Sequence, residues 1–423
     1  MGKLHRFFFY LTILLLPTQL GLHWWPQWAT VLGRRIDYLS PTIYFTDVLI
    51  FLILISWVAS PSFWQTSHRA RPESQKDPGQ ARMTKKLNKN WGPLIIIGLL
   101  VSLNIFFAIN KPVAIFHWLK VLEFALFGFY IIKTKPKLLI INYALAIAIF
   151  YSSLIAIAQF FLQHSIGGLL WFLGERTFTN QTPGIAQINW CFPNFSHCQL
   201  LLRPYATFPH PNVLGGFLAV TVPILISQIR QMSQIRKIFY VSTILVGLIA
   251  LVLTFSRSAW IVGVLGIAWV LFHFKPKNFI PFAIIIFLLG SMFVKNFDAT
   301  SESVIVREQL NVTAINIWQH SPIFGVGLGN FLIELPKTLP SRTVYFLQPV
   351  HNIYLLVLSE TGIVGLCGFF FLLWYVLKKS KIFKFQIIAF LLLGLVDHYP
   401  LTLQQGQLLL TFFLSLGLTN KGN

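Results

Sequence analysis

Long apolar runs, 15 to 26 residues each, recur along almost the whole 423-residue chain, and no other feature constrains its fold as strongly. Runs of that length suit helices crossing a bilayer, because a lipid-exposed backbone must satisfy its own hydrogen bonds. They are too long and too continuously apolar for barrel strands, which alternate residue by residue. Charged residues make up 11% of the chain, where a soluble domain carries about a quarter. The mean hydropathy is +0.68. These values exclude a soluble enzyme and a disordered chain, and three cysteines are too few for a disulfide framework of this size. The expected fold is all-α, a single polytopic integral membrane domain over residues 1 to 423.

The runs place about 12 transmembrane helices, at 7 to 22, 42 to 59, 93 to 109, 112 to 132, 138 to 162, 212 to 229, 238 to 254, 259 to 273, 278 to 294, 352 to 377, 385 to 400 and 402 to 418. An even number puts both termini on one side. Net charge is +21, and its location decides its meaning. Alternate connections, including a basic loop at 60 to 92, hold together with the two termini 22 of the 33 Lys and Arg residues but only Glu73 and Asp77 among the acids. The positive-inside rule makes that side, with both termini, cytoplasmic. The excess charge is then a topology signal with some attraction for anionic membrane lipids, and it gives no reason to invoke nucleic acid. The first run follows Lys3 and Arg6 as a signal peptide would, but the charge alternation holds only if it is kept as a span.

Two external segments are long enough for function, 163 to 211 and 295 to 351. The first holds Arg203, with Cys191 and Cys198 as either a local disulfide or two free thiols. Cys367, within a span, is read as a packing residue. The second segment suggests an amphipathic surface helix near 302 to 319, ended by Pro322 and the glycines of GVGLGNF. No strand precedes those glycines, so a re-entrant turn is expected in place of a dinucleotide site.

Ionisable groups at membrane depth are costly and mark function by default. They are Asp47, Lys120, Glu123, Arg257, His351, Glu360, Asp397 and His398, with Lys120 and Glu123 spaced to neutralise each other on one helical face. Arg257 sits in a near-loopless external turn between Ser256 and Ser258, on the side otherwise poor in basic residues. It either marks a turn or binds an anion, for which a planar guanidinium suits phosphate or carboxylate. His351 opens a span beside Asn352, as a base near neutral pH or an interfacial anchor. Arg307 lies on the proposed external helix. There is no Walker lysine motif, no HExxH and no paired Cys/His spacing, so no cofactor and no metal is expected. An enzyme of this form would act on an activated, membrane-presented substrate.

The strings TFSRSAW, REQLNVTAINIWQHSPIFGVGLGNF and HNIYLLVLSETGIVGL, with RPYATFPHPNVLGGFLAV upstream, resemble the O-antigen ligase and O-antigen polymerase (Wzy) superfamily of bacterial membrane glycosyltransferases. The resemblance runs from about Arg203 to the C-terminus. Each motif alone is loose, while their order and placement are more specific. The resemblance implies a GT-C-like architecture in the bacterial cytoplasmic (inner) membrane with its active site facing outside. It implies Arg257 and Arg307 as diphosphate ligands and His351 as the group that deprotonates or orients the acceptor hydroxyl. Arg203, Asn352, Glu360 and Asp397 are expected to bind substrate. The implied reaction is metal-independent inverting transfer of a glycan from undecaprenyl diphosphate to a glycan, lipid or protein acceptor. The competing readings are a polysaccharide or lipid-carrier transporter, which would call for a continuous polar path and internal repeats that the sequence does not display, and a small-anion permease.

Overall fold

The computed structural model describes residues 3–61, 63, 92–191, 198–229, 233–274, 302–339, 347–380 and 382–419. The span expected at 278 to 294 and most of the loop at 60 to 92 lie outside these residues. The described helices are α1 (Leu4–Leu14), α2 (Phe45–Val58), α3 (Gly92–Phe107), α4 (Lys111–Thr134), α5 (Leu138–Leu162), α6 (Pro211–Gln228) and α7 (Gln234–Leu253). They continue as α8 (Arg257–Phe274), α9 (Glu302–His320), α10 (Phe331–Thr338), α11 (Ile353–Lys379), α12 (Lys384–Leu393), α13 (Tyr399–Thr402) and α14 (Gln404–Thr419). By length and composition α4, α5, α6, α7 and α11 can each cross a membrane, and α1, α2, α3, α8 and α12 are shorter apolar helices. The chain is a mostly α-helical, multi-pass membrane protein.

Short antiparallel pairs decorate the connections. β1 (Gly21–His23) pairs with β4 (Thr42–Tyr44) around a smaller β2 (Thr30–Val31) and β3 (Arg34–Arg35) pair. β5 (Gln187–Cys191) pairs with β6 (Cys198–Leu202). The β5–β6 register sets Cys191 across from Cys198, and the side chains of both lie outside those described. Cys367 is exposed on α11 and does not pack internally.

The hub is α6, buried without interruption from Val213 to Leu225 and packed against α5, α7 and α8. Two glycines let neighbours approach α6 closely, Gly215 toward α8 and Gly216 toward α13. A Cβ at Gly215 would stand 2.9 Å from the Ala259 Cβ, and one at Gly216 would stand 1.7 Å from the Tyr399 hydroxyl.

Two apolar runs end earlier as helices than hydropathy suggests. In the run at 7 to 22, α1 stops at Leu14, just ahead of Pro17, and the chain turns toward β1. In the run at 385 to 400, α12 stops at Leu393, and residues 394 to 398 pass as turns before α13. That break presents Asp397 and His398 at the bundle's end.

The glycines of GVGLGNF form the expected turn, with positive φ at Gly325, Gly327 and Gly329. It locks onto α11, where the Val326 and Gly327 amides donate to the Ser359 and Glu360 carbonyls, both at 3.0 Å. Gly362, at φ 67°, kinks α11 at that contact. Asn104 of α3 closes the clamp, donating to the Phe324 and Glu360 carbonyls (2.7 and 3.0 Å) and accepting from Leu328 N and Trp118 Nε1 (3.1 and 2.8 Å).

Candidate active site

A cavity of about 580 Å³ opens where the starts of α2, α4, α6 and α11 meet the α12–α13 break and the segment before α6. Its wall carries His351, Asp397, His398, His210, Asn212, Arg176 and Lys120. These groups come from segments up to several hundred residues apart, and a few side chains hold them in register.

Arg203, just after β6, lies at the root. Its Nε donates to the Thr254 carbonyl and its Nη2 to Asn212 Oδ1, both at 2.7 Å. Asn212 Nδ2 then donates to Asp397 Oδ2 at 3.0 Å. The other carboxylate oxygen of Asp397 stands 3.9 Å from His351 Nδ1. The chain Thr254–Arg203–Asn212–Asp397–His351 therefore ties the turn that carries Arg257 to the imidazole. Asn212 is able to do this because Pro211 starts α6 and His210 caps it, accepting the Asn212 amide at 3.1 Å.

The imidazole faces the Asp397 carboxylate. His351 Nδ1 is buried without a hydrogen-bond partner and faces Asp397, while Nε2 stands 3.4 Å from Gln348 Oε1. Burial pushes the His351 imidazole below its ordinary value, Asp397 opposes this, and the charge of Arg307 adds to the lowering. His351 is thus neutral at physiological pH. Burial, reinforced by Arg203, pushes His210 down to about 4, so it too is neutral. Arg203 is lowered to about 10 by burial and stays cationic. The His398 ring lies 4.9 Å from that of His351, with its Nδ1 2.6 Å from the Thr402 hydroxyl.

The other expected residues separate. Asn352 caps α11, accepting from the Tyr354 and Leu355 amides at 2.9 and 3.2 Å. Glu360 is buried away from the cavity and accepts from the Phe331 amide at 3.3 Å, so it braces the glycine turn. Arg257 is exposed at the first position of α8, after a turn with Phe255 at φ 50°. Arg307 is half-buried on α9. Among the described residues the cavity wall includes neither Arg257, Arg307 nor Arg203, although the charge of Arg307 acts on His351, His210 and Arg203.

One glutamine fixes a further wall. Gln159 of α5 accepts from the Tyr205 and Ala206 amides (3.0 and 2.7 Å) and donates to Glu175 Oε1 (2.7 Å). Glu175 also accepts from the Ile166 and Gly167 amides, both at 2.7 Å. Trp171, Glu175 and Arg176 thereby line the cavity.

His351, Asp397 and His398 offer three ligand atoms within 4.8 Å of one another. Ligands of a tetrahedral zinc with bonds of about 2.0–2.1 Å lie about 3.4 Å apart. The trio would have to close inward to hold such an ion.

Sequence reasoning missed His210 and Asn212, although Pro-His-Pro-Asn at a helix start was a readable cap signal. It placed Lys120 beside Glu123, and the structure adds Asp47 to that pair.

Residues 242–370, which include Arg257, Arg307, His351, Asn352 and Glu360, match the family model described as O-antigen ligase (Wzy_C). No curated protein matches the chain.

Proposed function

With the chain assigned to the O-antigen ligase family, we propose that it transfers a glycan from undecaprenyl diphosphate to an acceptor hydroxyl at the outer face of the cytoplasmic membrane. Charge sorting of the loops supports twelve spans with both termini in the cytoplasm and the cavity opening outside, and the resemblance implies a GT-C-like arrangement of them. The observation that carries the reading is the partly buried His351 on the cavity wall, its Nδ1 facing Asp397 at 3.9 Å and the residue lying within the family match.

The acceptor O–H gives its proton to His351 Nε2 while its oxygen attacks the anomeric carbon from the face opposite the diphosphate. The bond from that carbon to the diphosphate oxygen breaks, and undecaprenyl diphosphate leaves with the electron pair, so the configuration inverts. Asp397 holds the Nδ1 side and stabilises the imidazolium as it forms. Arg257 and Arg307 bind the diphosphate through planar forks, strengthening their hold as charge develops on it. Arg203 positions the Arg257 turn and the Asn212–Asp397 pair, and Asn352 sets the start of α11 beside the base. Glu360 acts through the glycine turn. No metal takes part in these steps. The external segments at 163 to 211 and 295 to 351, the latter carrying the helix near 302 to 319, frame the acceptor side.

Ligase and polymerase differ in the second substrate. Incubating the purified protein with a lipid-linked oligosaccharide, alone and with lipid, protein or glycan acceptors, separates them. Chain growth from the donor alone marks a polymerase, and a single transfer to a distinct acceptor marks a ligase. No product with any acceptor, together with full function of Arg257→Ala and His351→Ala in cells, would overturn the reading.

A further inference from the structure

One wall of the cavity gathers two imidazoles and a carboxylate. His351, just ahead of α11, and Asp397 and His398, in the α12–α13 break, each offer one ligand atom, all within 4.8 Å of one another. Imidazole nitrogen with a single carboxylate suits Zn²⁺ or Co²⁺, whereas Mg²⁺ and Ca²⁺ call for a shell of oxygens.

Each member is already oriented as a ligand. The Thr402 hydroxyl donates to the His398 carbonyl at 3.1 Å, so it accepts from His398 Nδ1 at 2.6 Å and leaves Nε2 with the lone pair. Metal-ligating histidines are held in one tautomer by such an outer hydrogen bond. Asp397 is anchored through Oδ2, to which Asn212 donates at 3.0 Å. Its Oδ1 accepts from the Tyr399 amide at a long 3.4 Å and faces His351 Nδ1 at 3.9 Å. That nitrogen is buried with no hydrogen-bond partner, a position that costs free energy until a ligand fills it. Ligand atoms on one zinc stand about 3.4 Å apart, so His351 and Asp397 have about 0.5 Å to close and the widest pair at most about 1.4 Å. The loosely held Nδ1 and Oδ1 are the atoms that have to move.

The geometry points to an inhibitory transition-metal site, in which Zn²⁺ binds His351 Nδ1, Asp397 Oδ1 and His398 Nε2 and a water takes the fourth position toward the cavity. The inference rests on the glycosyl-transfer reading above, in which His351 is the base. In that reaction Nδ1 carries the ring proton and Nε2 the lone pair that meets the acceptor hydroxyl. The metal takes a lone pair on Nδ1, so the ring proton moves through solvent to Nε2, where it faces Gln348 Oε1 at 3.4 Å. The ring neither gains nor loses a proton overall, and the nitrogen that receives the acceptor's proton is filled. The metal also claims the Asp397 charge that stabilises the imidazolium. Zinc here is an inhibitor and supplies no chemistry to the transfer.

The test uses the full-length protein in nanodiscs, stripped with EDTA and titrated with Co²⁺ alone. Visible d–d absorption of a nitrogen-ligated ion is expected, and Zn²⁺ should displace it while Mg²⁺ should not. His398→Gln should abolish the absorption. Thr402→Val keeps all three ligands but removes the outer hydrogen bond, and it should weaken Co²⁺ binding about 10–100-fold. In parallel, glycan transfer is followed with each protein compared to its own metal-free rate. Zn²⁺ should inhibit the wild type, and the concentration for half-inhibition should rise in Thr402→Val by the factor seen for Co²⁺. No absorption in the wild type, absorption or inhibition unchanged in both variants, or inhibition by Mg²⁺ equal to that by Zn²⁺ would overturn the site. Co²⁺ bound through His398 in a protein that transfers glycan to no acceptor would uphold the metal site while overturning the transferase reading.

Discussion

Asp397→Asn is the sharpest perturbation of the proposed base. The substitution keeps shape and an oxygen for Asn212 to donate to, and it removes one negative charge 3.9 Å from His351 Nδ1. At about 4 Å two unit charges interact by about 1 kcal/mol in water and about 4 kcal/mol at an effective dielectric of 20. The side chains of His351 and Asp397 are 16% and 9% exposed, which favours the upper part of that range. The imidazolium forming as the acceptor loses its proton would forfeit that stabilisation, a fall in kcat of about five- to a thousandfold. The sign of the pH effect also follows. His351 already sits below its ordinary value through burial and Arg307, and Asp397 opposes that lowering. The acid limb of kcat/KM should therefore lie below the ordinary imidazole range in the wild type and move to still lower pH in the variant. Initial rates of glycan transfer between pH 4.5 and 8 would measure both effects. A kcat within twofold of wild type with an unmoved limb, or a limb that moves to higher pH, would refute the pairing of Asp397 with His351.

Other substitutions test separate parts of the site. Arg257→Lys and Arg307→Lys keep the charge but lose the fork, and each should lower kcat/KM by about tenfold or more while thermal stability in detergent stays unchanged. Glu360→Gln keeps an acceptor for the Phe331 amide and should retain transfer, whereas Glu360→Ala strands that amide and should lose about 1–3 kcal/mol of stability, read as a fall in Tm. Gln159→Leu leaves the Tyr205 and Ala206 amides and Glu175 short of partners, and it should cost about 2–4 kcal/mol and loosen the segment at 163 to 176, measurable by hydrogen exchange. Gly362→Ala places a Cβ 2.2 Å from the Ile323 carbonyl oxygen at φ 67°, so folded protein should be lost from the membrane fraction.

Apolar runs made the helices legible, because period and length are local properties of sequence. α4, α5, α6, α7 and α11 lie close to where hydropathy puts them. The break between α12 and α13 was hidden because Leu395 and Val396 continue the apolar pattern, while Gly394 packs against Ile353 and Asp397 turns toward Asn212. His351 and Arg203 stand out in sequence as polar residues beside spans. Their connection does not, since Asn212 and Asp397 are 185 residues apart and meet only through tertiary packing. Glu360 stands out in sequence as an acid at membrane depth, and only the fold reveals the backbone amide of the glycine turn that donates to it. Lys120 was legible as half of an ion pair, and only the packing of α2 on α4 reveals Asp47 as its second partner.

Release of free undecaprenyl diphosphate, followed by mass spectrometry as purified protein meets lipid-linked glycan and acceptor, tests the central claim most directly. Stoichiometric release with glycosylated acceptor of inverted anomeric configuration is expected, and His351→Ala should abolish both products. Retained configuration in the product, or undiminished release by the His351→Ala protein, would contradict a direct displacement assisted by His351.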